Sequence, residues 1–342
     1  VINPTLNIGI INKLRLKDIM NVAYLLLEIE MEVISLGELL AEFMQKGVGE
    51  TLDQLGDFVG PFPSGAPAIF ADSVVKLGHS CGVIGVVGND DFGKVIIRRL
   101  KEDGVDISRI RVLDDYPTGT AFVTYFGDGS RKFVFNLRHA AAGQLSPDDV
   151  DPTYLSGTKF LHVMGSALSV SDSSKEACYK ALRLVKENGG RVSFDPNLRP
   201  ELLNIDLIKK ICAPVLKDCD VILPNIMEAR ILTGEKDPRK SARKFLDMGI
   251  GIVAIKMGKK GSMIATDEGA IQVPSFSVEE VDPTGAGDSY DAGFVCGLLD
   301  GKDIEETAFY ANAVGALATT KMGGMEGIPT RDEVIMFLKE KG

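Results

Sequence analysis

The chain has 342 residues, 45% apolar and 25% charged, enough for one large domain or two ordinary ones and inconsistent with a disordered, collagen-like or coiled-coil protein. Its 38 basic and 48 acidic side chains give a net charge of −10; with no Trp and only 7% aromatics, neither a nucleic-acid nor a membrane partner is expected. The 37 glycines imply many positions of positive φ or close backbone approach, as in loops that hold phosphates.

Residues 1–30 show no clean period. Met20–Leu27 is an apolar run behind Lys13, Arg15 and Lys17, too short to span a bilayer and without a small-residue cleavage site. The segment reads as an N-terminal extension outside the main domain. Met31 is then the expected domain start, and Val1 a GUG start codon translated literally.

From Met31 onward, β-rich apolar runs alternate with helical stretches. The predicted strands are Val33–Gly37, Cys81–Gly88, Phe160–Gly165, Arg191–Asp195, Asp220–Asn225 and Gly251–Gly258. The predicted helices are Ala68–Leu77, Phe92–Asp103, Ser173–Asn188, Ile205–Lys217 and Arg239–Asp247. This rhythm predicts an α/β fold, a mostly parallel sheet with helices on both faces. Residues ~39–63 and ~118–136 alternate in strand fashion instead, and Asp128-Gly129 marks a hairpin in the second. They are expected to form a small antiparallel lid.

Cys81, Cys178, Cys212, Cys219 and Cys296 are scattered without a C-x-x-C pair, as expected of reduced core thiols in a cytoplasmic protein. The three His share no ligand spacing with them, so a zinc site is not expected. In an open parallel sheet, ligands gather beyond the carboxyl ends of the strands. Those ends carry Gly88-Asn-Asp-Asp91, Gly165-Ser166, Asp195-Pro-Asn197, Asn225 and Lys256-Met-Gly258; ordinary turn chemistry accounts for the same residues.

The most informative stretch is Asp282-Pro-Thr-Gly-Ala-Gly-Asp288. A strand is predicted to end near Val281 and a helix to run from about Gly287 to Leu299. Between them, Gly285, Ala286 and Gly287 would present backbone N–H groups at the positive end of the helix dipole, an anion site. Asp288 beside it could accept a proton from a hydroxyl, the pairing that phosphoryl transfer requires. As plain structure, the same residues make a turn with an N-terminal Asp. The chain has neither G-x-x-x-x-G-K-[ST] nor G-x-G-x-x-G, which disfavours P-loop enzymes and dinucleotide dehydrogenases.

From Met31 to the C-terminus the sequence resembles the ribokinase-like (PfkB) family of sugar kinases. Asp282–Asp288 matches the family signature D-x-T-G-A-G-D. Pro63-Ser-Gly-Ala-Pro-Ala68 with Leu77-Gly78 resembles its G-G-A-P-A-N…L-G motif, and Gly88–Gly93 its G-x-D-x-F-G segment. Asn225-Ile-Met-Glu228 resembles N-x-x-E, and Lys256–Gly261 resembles K-x-G-x-x-G. The resemblance implies Gly285, Ala286 and Gly287 as anion hole and Asp288 as catalytic base. It implies a nucleotide site at Arg199, Asn225, Lys256, Gly258, Gly261 and Asn312, with Glu228 ordering Mg2+ through water. A sugar site is implied at Glu42, Gly65, Ala66, Arg138 and Asp288. Ile69 stands where the family has a sugar-contacting Asn, and Ser64 replaces the first Gly of its pair.

The chain is most similar to the 2-keto-3-deoxygluconate kinase and ketohexose kinase subgroup. The implied activity is ATP-dependent phosphorylation of a ketohexose or 2-keto-3-deoxygluconate. ATP and Mg2+ are the implied cofactors, a monovalent cation is a further candidate, and a homodimer through the lid is expected. The missing aromatics at Asn136 and Leu137 tilt the reading toward a neutral ketohexose. A ribokinase or nucleoside kinase on the same fold is the nearest alternative, and a non-catalytic sugar-binding module the alternative of another class.

Overall fold

The computed structural model describes residues 31–128 and 130–341. The proposed extension, residues 1–30, and Gly129 of the expected hairpin turn lie outside the described residues. The chain enters through β1 (Val33–Leu36), β2 (Leu40–Gln45) and β3 (Phe58–Ser64), followed by α1 (Ala66–Lys76), β4 (Cys81–Gly88) and α2 (Asp91–Asp103). Then come β5 (Ile110–Leu113), β6 (Gly119–Tyr125), β7 (Arg131–Asn136), β8 (Phe160–Met164), α3 (Gly165–Val170), α4 (Asp172–Glu187) and β9 (Arg191–Asp195). The second half holds α5 (Ile205–Asp218), β10 (Val221–Ile222), α6 (Ile226–Thr233), α7 (Pro238–Asp247), β11 (Ile252–Lys256), β12 (Ser262–Thr266) and β13 (Gly269–Val273). Three helices close it: α8 (Ala286–Leu299), α9 (Ile304–Ala318) and α10 (Arg331–Lys341).

Nine strands form the main sheet in the order β13-β12-β11-β10-β9-β8-β1-β4-β5. All neighbours are parallel except β11–β12 and β12–β13. Every residue of β1, β4 and β8 is buried, as a sheet covered on both faces requires. One face packs Phe194 and Ile222 against Ala177, Ile208 and Phe245 of α4, α5 and α7. The other packs Phe160 and Ala254 against Phe70, Phe294 and Ala311 of α1, α8 and α9. The two cores clamp the sheet, so the loops beyond its carboxyl edge start from a rigid frame.

The lid is a separate sheet of order β3-β2-β6-β7. Its β2–β3 and β6–β7 pairs are antiparallel, joined by a parallel β2–β6 pairing. The root of the lid is tied to the main domain by Asp90. Its carboxylate caps α2 by accepting from Gly93 N at 2.8 Å and also accepts from Thr118 N and Oγ1 at 2.7 Å. The Gly88–Gly93 motif is therefore architectural, joining helix start to lid root.

One expected element is absent. No strand ends near Val281: residues 274–285 carry none, and the Val281 and Asp282 N–H groups donate to a single acceptor, the Thr319 carbonyl, at 2.8 and 3.0 Å. Pro274 and Pro283 in this stretch lack the N–H that a ladder requires. Among the described residues, no helix is long and apolar enough to cross a membrane.

Candidate active site

Two cavities open beyond the carboxyl ends of the strands and meet at the start of α8. One, of about 570 Å3, lies between the turn after β11 and helices α8 and α9, with Gly258, Gly261, Phe276, Asn312 and Gly315 on its walls. The other, of about 380 Å3, lies under the lid, with Glu42, Ala121, Phe133, Asn197, Arg199 and Asp288 around it. Lys256, Gly258, Pro283, Ala286 and Gly287 line both. The predicted anion loop is thus the partition between two chambers.

The partition's geometry depends on glycine at its first position. Gly285 is the N-cap of α8 with φ 79°, a left-handed conformation that L side chains rarely adopt. A side chain there would also run into the Gly324 carbonyl. This bend starts α8 with its first N–H groups unpaired within the helix; that of Ala286 donates to the Pro283 carbonyl at 3.3 Å. Gly261 is held the same way, at φ 85° with the Val273 carbonyl where a Cβ would go.

Asp288, in the first turn of α8, is 8% exposed, and its Oδ1 accepts from Asn197 Nδ2 at 3.3 Å. Burial, with the nearby Asp195 charge, pushes its carboxyl up to about 7, although Lys256 and Arg199 pull the other way. Asn197 is the one non-glycine residue of positive φ (33°) among the described residues. Its N–H donates to Asp195 Oδ1 at 3.0 Å, an Asx-type turn at the end of β9. Asn197, which the Asp195-Pro-Asn197 signal located only as a strand end, therefore orients Asp288.

Lys256 sits beneath the partition. Its ammonium donates to Asp195 Oδ2 at 3.0 Å and to both Asp291 oxygens at 2.9 Å. Burial raises both carboxylates, but the shared ammonium pulls Asp195 below the usual range while Asp291 stays above it. Lys256 itself is held charged by these carboxylates against the cost of burial.

Asn225 is the N-cap of α6, its side chain accepting from Glu228 N at 2.9 Å. Glu228 answers by accepting from Asn225 N at 2.8 Å and, with its other oxygen, from Leu198 N at 3.0 Å. The N-x-x-E motif is thus also a capping box. Burial and the Asp195 charge push Glu228 up to about 7. Asn312 lines the first cavity while its amide donates to Ser262 Oγ and to the Val273 and Pro274 carbonyls at 3.1–3.2 Å.

Under the lid, Glu42 is 3% exposed, accepts from Ser64 Oγ at 2.9 Å and is pushed up to about 7 mainly by burial. Gly65 and Ala66 line the same wall. Phe133 and Phe135 form a stacked pair there, centroids 5.3 Å apart. They put aromatic rings on this wall although Asn136 and Leu137 provide none. Arg138 is not brought to this cavity. It lies beyond the end of β7, exposed, with Nε donating to the Val170 carbonyl at 3.4 Å. The alternate residues Arg131, Phe133 and Phe135 face inward instead. Arg131 and Glu38 are not singled out by the sequence. For Arg131 the signal was present in the two-residue period of β7.

A helix-start anion loop between two cavities, with a near-neutral carboxyl beside it, is an arrangement that can hold a phosphoryl group and deprotonate a hydroxyl. Residues 32–331 match the pfkB family of carbohydrate kinases, and the chain belongs to that family. It is 32% identical over 316 residues to the 2-dehydro-3-deoxygluconokinase of Bacillus subtilis, covering 90% of this chain and 96% of that one. An E. coli protein described as ribokinase II, in complex with ATP and Mg2+, matches its fold with TM-score 0.85 and 42% identity over 91% of this chain and 99% of that one. The fructokinase of Vibrio cholerae, with fructose, ADP and calcium bound, matches with TM-score 0.80 and 28% identity over 90% and 99%.

Proposed function

We propose that this carbohydrate kinase transfers the γ-phosphate of ATP to a primary hydroxyl of a neutral ketohexose, fructose or tagatose in type. The observation that carries the reading is the shared wall: the 570 Å3 cavity, read as the nucleotide's, and the 380 Å3 cavity, read as the sugar's, have Lys256, Gly258, Pro283, Ala286 and Gly287 in common, with Asp288 beside them on the sugar side.

In this reading Asp288 takes the proton of the hydroxyl, whose oxygen attacks the γ-phosphorus in line while the bond to ADP breaks. The N–H groups of Gly285–Gly287 receive the charge that builds on the phosphoryl oxygens. Lys256, Gly258, Gly261 and Asn312 line the nucleotide side, whereas Arg199 and Asn225, expected at the nucleotide, line the lid chamber instead. The lid keeps water from competing with the sugar hydroxyl.

Mg2+ would neutralise the nucleotide phosphates. Glu228 accepts one backbone N–H on each oxygen, leaving lone pairs for a metal-bound water. Among the described residues no cluster of three His, Cys, Asp or Glu could hold a metal directly. A hydrated ion delivered with ATP therefore fits, since Mg2+ dehydrates reluctantly.

The neutral sugar is favoured because Glu38 and Glu42 both line its chamber. A carboxyl in either protonation state can accept a hydrogen bond from a sugar hydroxyl, and burial raises both of these groups, so each loses further if a second carboxylate is brought beside it. The second reading, 2-keto-3-deoxygluconate, draws on the guanidinium groups of Arg131 and Arg199 on the same walls. ATP turnover against ketohexoses, 2-keto-3-deoxygluconate, ribose and nucleosides at matched concentrations decides between them. Fastest turnover with a ketohexose supports the first reading; fastest turnover with the keto-deoxy-acid replaces it with the second. Repeating the assay across K+ concentrations tests the monovalent cation.

The outer lid face carries a cluster of Phe43, Phe58 and Phe122, with Phe58 and Val134 exposed. We place a second copy of the chain there, since a sheet edge and an apolar face both favour burial. Sedimentation at micromolar concentration tests it: a dimer is expected and a monomer contradicts it. The five cysteines are free and buried, which suits a reducing compartment.

A further inference from the structure

The lid does more than cover the sugar chamber; its inner edge is hydrogen-bonded to the segment that shapes the anion loop. Tyr125, the last residue of β6, donates its hydroxyl to Asp282 Oδ1 at 2.8 Å and lies 3.1 Å from Thr284 Oγ1. Arg131, the first residue of β7, donates to the same Thr284 oxygen at 3.3 Å. The donors resolve into one direction: Arg131 to Thr284, Thr284 to Tyr125, Tyr125 to Asp282.

Asp282 passes this contact inward. Its Oδ1 also accepts from Thr284 N at 2.9 Å, and its Oδ2 accepts from Gly323 N at 2.8 Å. It therefore fixes both segments that flank Gly285: residue 284, which precedes it, and the 323–324 turn, whose carbonyl occupies the space beside it. Phe62 of β3 packs against Gly323 from the lid side. Burial raises the Tyr125 hydroxyl well above its ordinary pKa, so it stays protonated as the donor.

We propose that Tyr125 is a positioning residue that couples lid closure over the sugar to the geometry of the Gly285–Gly287 loop, so that the phosphate-binding N–H groups are aligned only when the lid is down. Tyr125 itself touches neither substrate. The physical reason is cooperative: the loop's left-handed start is held by Asp282, and Asp282 is fully satisfied only with the lid's hydroxyl in place. This device would keep ATP from being spent on water in an open site. It rests on the kinase reading above.

The test is Tyr125→Phe, which deletes one hydroxyl and keeps the ring. The expected result is a kcat lower by about tenfold, with KM for ATP within about twofold of wild type and an unchanged thermal midpoint. Sugar-independent ATP hydrolysis should rise about fivefold or more relative to sugar phosphorylation. Thr284→Val, which removes the middle hydroxyl of the relay, should give the same split and serves if the first variant is unstable. A Tyr125→Phe enzyme with kcat above half of wild type and unchanged coupling overturns the proposal, as does a rise in sugar KM alone. The two readings stay separable: an active wild type with an indifferent Tyr125→Phe removes the coupling alone, while a wild type inactive on every sugar removes both.

Discussion

At Gly285–Asp288 the recognition elements are main-chain groups, whereas on the lid wall opposite they are alternate side chains of β2, β6 and β7. The first needs a left-handed glycine and a helix start, which a short run of residues specifies. The second needs to know which face of each strand looks inward, which is decided by pairing with distant strands. On the proposed function, phosphate handling is therefore encoded locally and selectivity non-locally. Substitutions on the two sides should fail differently, those at the partition in kcat and those of lid side chains that face the chamber in the sugar KM.

The largest effect is expected at the partition. Asp288→Asn keeps the shape but removes the proton acceptor, so kcat should fall by roughly two to four orders of magnitude. ATP affinity by calorimetry should stay near wild type, and a variant keeping more than about a tenth of kcat breaks this side of the comparison. Gly285→Ala forces a methyl toward the Gly324 carbonyl and displaces the N–H groups. A loss of roughly a hundredfold in kcat is expected in steady-state kinetics, on the scale of one misplaced oxyanion donor.

On the lid side, Arg131→Ala should raise the sugar KM by about tenfold, the scale of one charged hydrogen bond. Arg138→Ala should change kcat/KM by less than about twofold, because its side chain faces solvent and Val170. If Arg138 proves the more costly of the two, the inward face of β7 is misassigned.

The smallest effect concerns stability. The Glu42 carboxyl is pushed up to about 7 in the folded protein against an ordinary value near 4.3 in an unfolded chain. Its contribution is then fully present below about pH 4 and is lost as pH rises through about 7. Glu42→Gln removes that loss, so the gain in Tm over wild type should be larger at pH 8 than at pH 5. An equal shift at both pH values would mean the carboxylate is not desolvated.

Much of the frame was legible in the residues. β4 and β9 fall where the apolar runs place them, and α2 is announced by Asp90 at its cap and Gly104 after its end. The hairpin β12–β13 was not foreseen, since its strands are five residues each and the outer one faces solvent on most positions. Val281 looked like a strand end because the local residues favour one. The competing fact is the Thr319 carbonyl, supplied by the end of α9 and invisible in sequence. Arg138 is implied by the resemblance alone, whereas the inward face of β7 is set by its pairing with β6 and puts Arg131 on the chamber wall. Asn225 and Glu228 show the converse, a motif whose residues cap a helix while also lining the lid chamber.

In the proposed reaction Asp288, a buried carboxyl on the lid-chamber side of the partition, must lose its proton before phosphate moves. The most direct measurement is the pH dependence of kcat/KM for the sugar at saturating ATP. The Asp288 carboxyl is set near 7 by burial, and only its deprotonated form can accept the hydroxyl proton. The logarithm of kcat/KM should therefore rise with unit slope from acid pH to a plateau above about pH 7. A profile that stays level from pH 5 to pH 8 would contradict the assignment of Asp288 as the base.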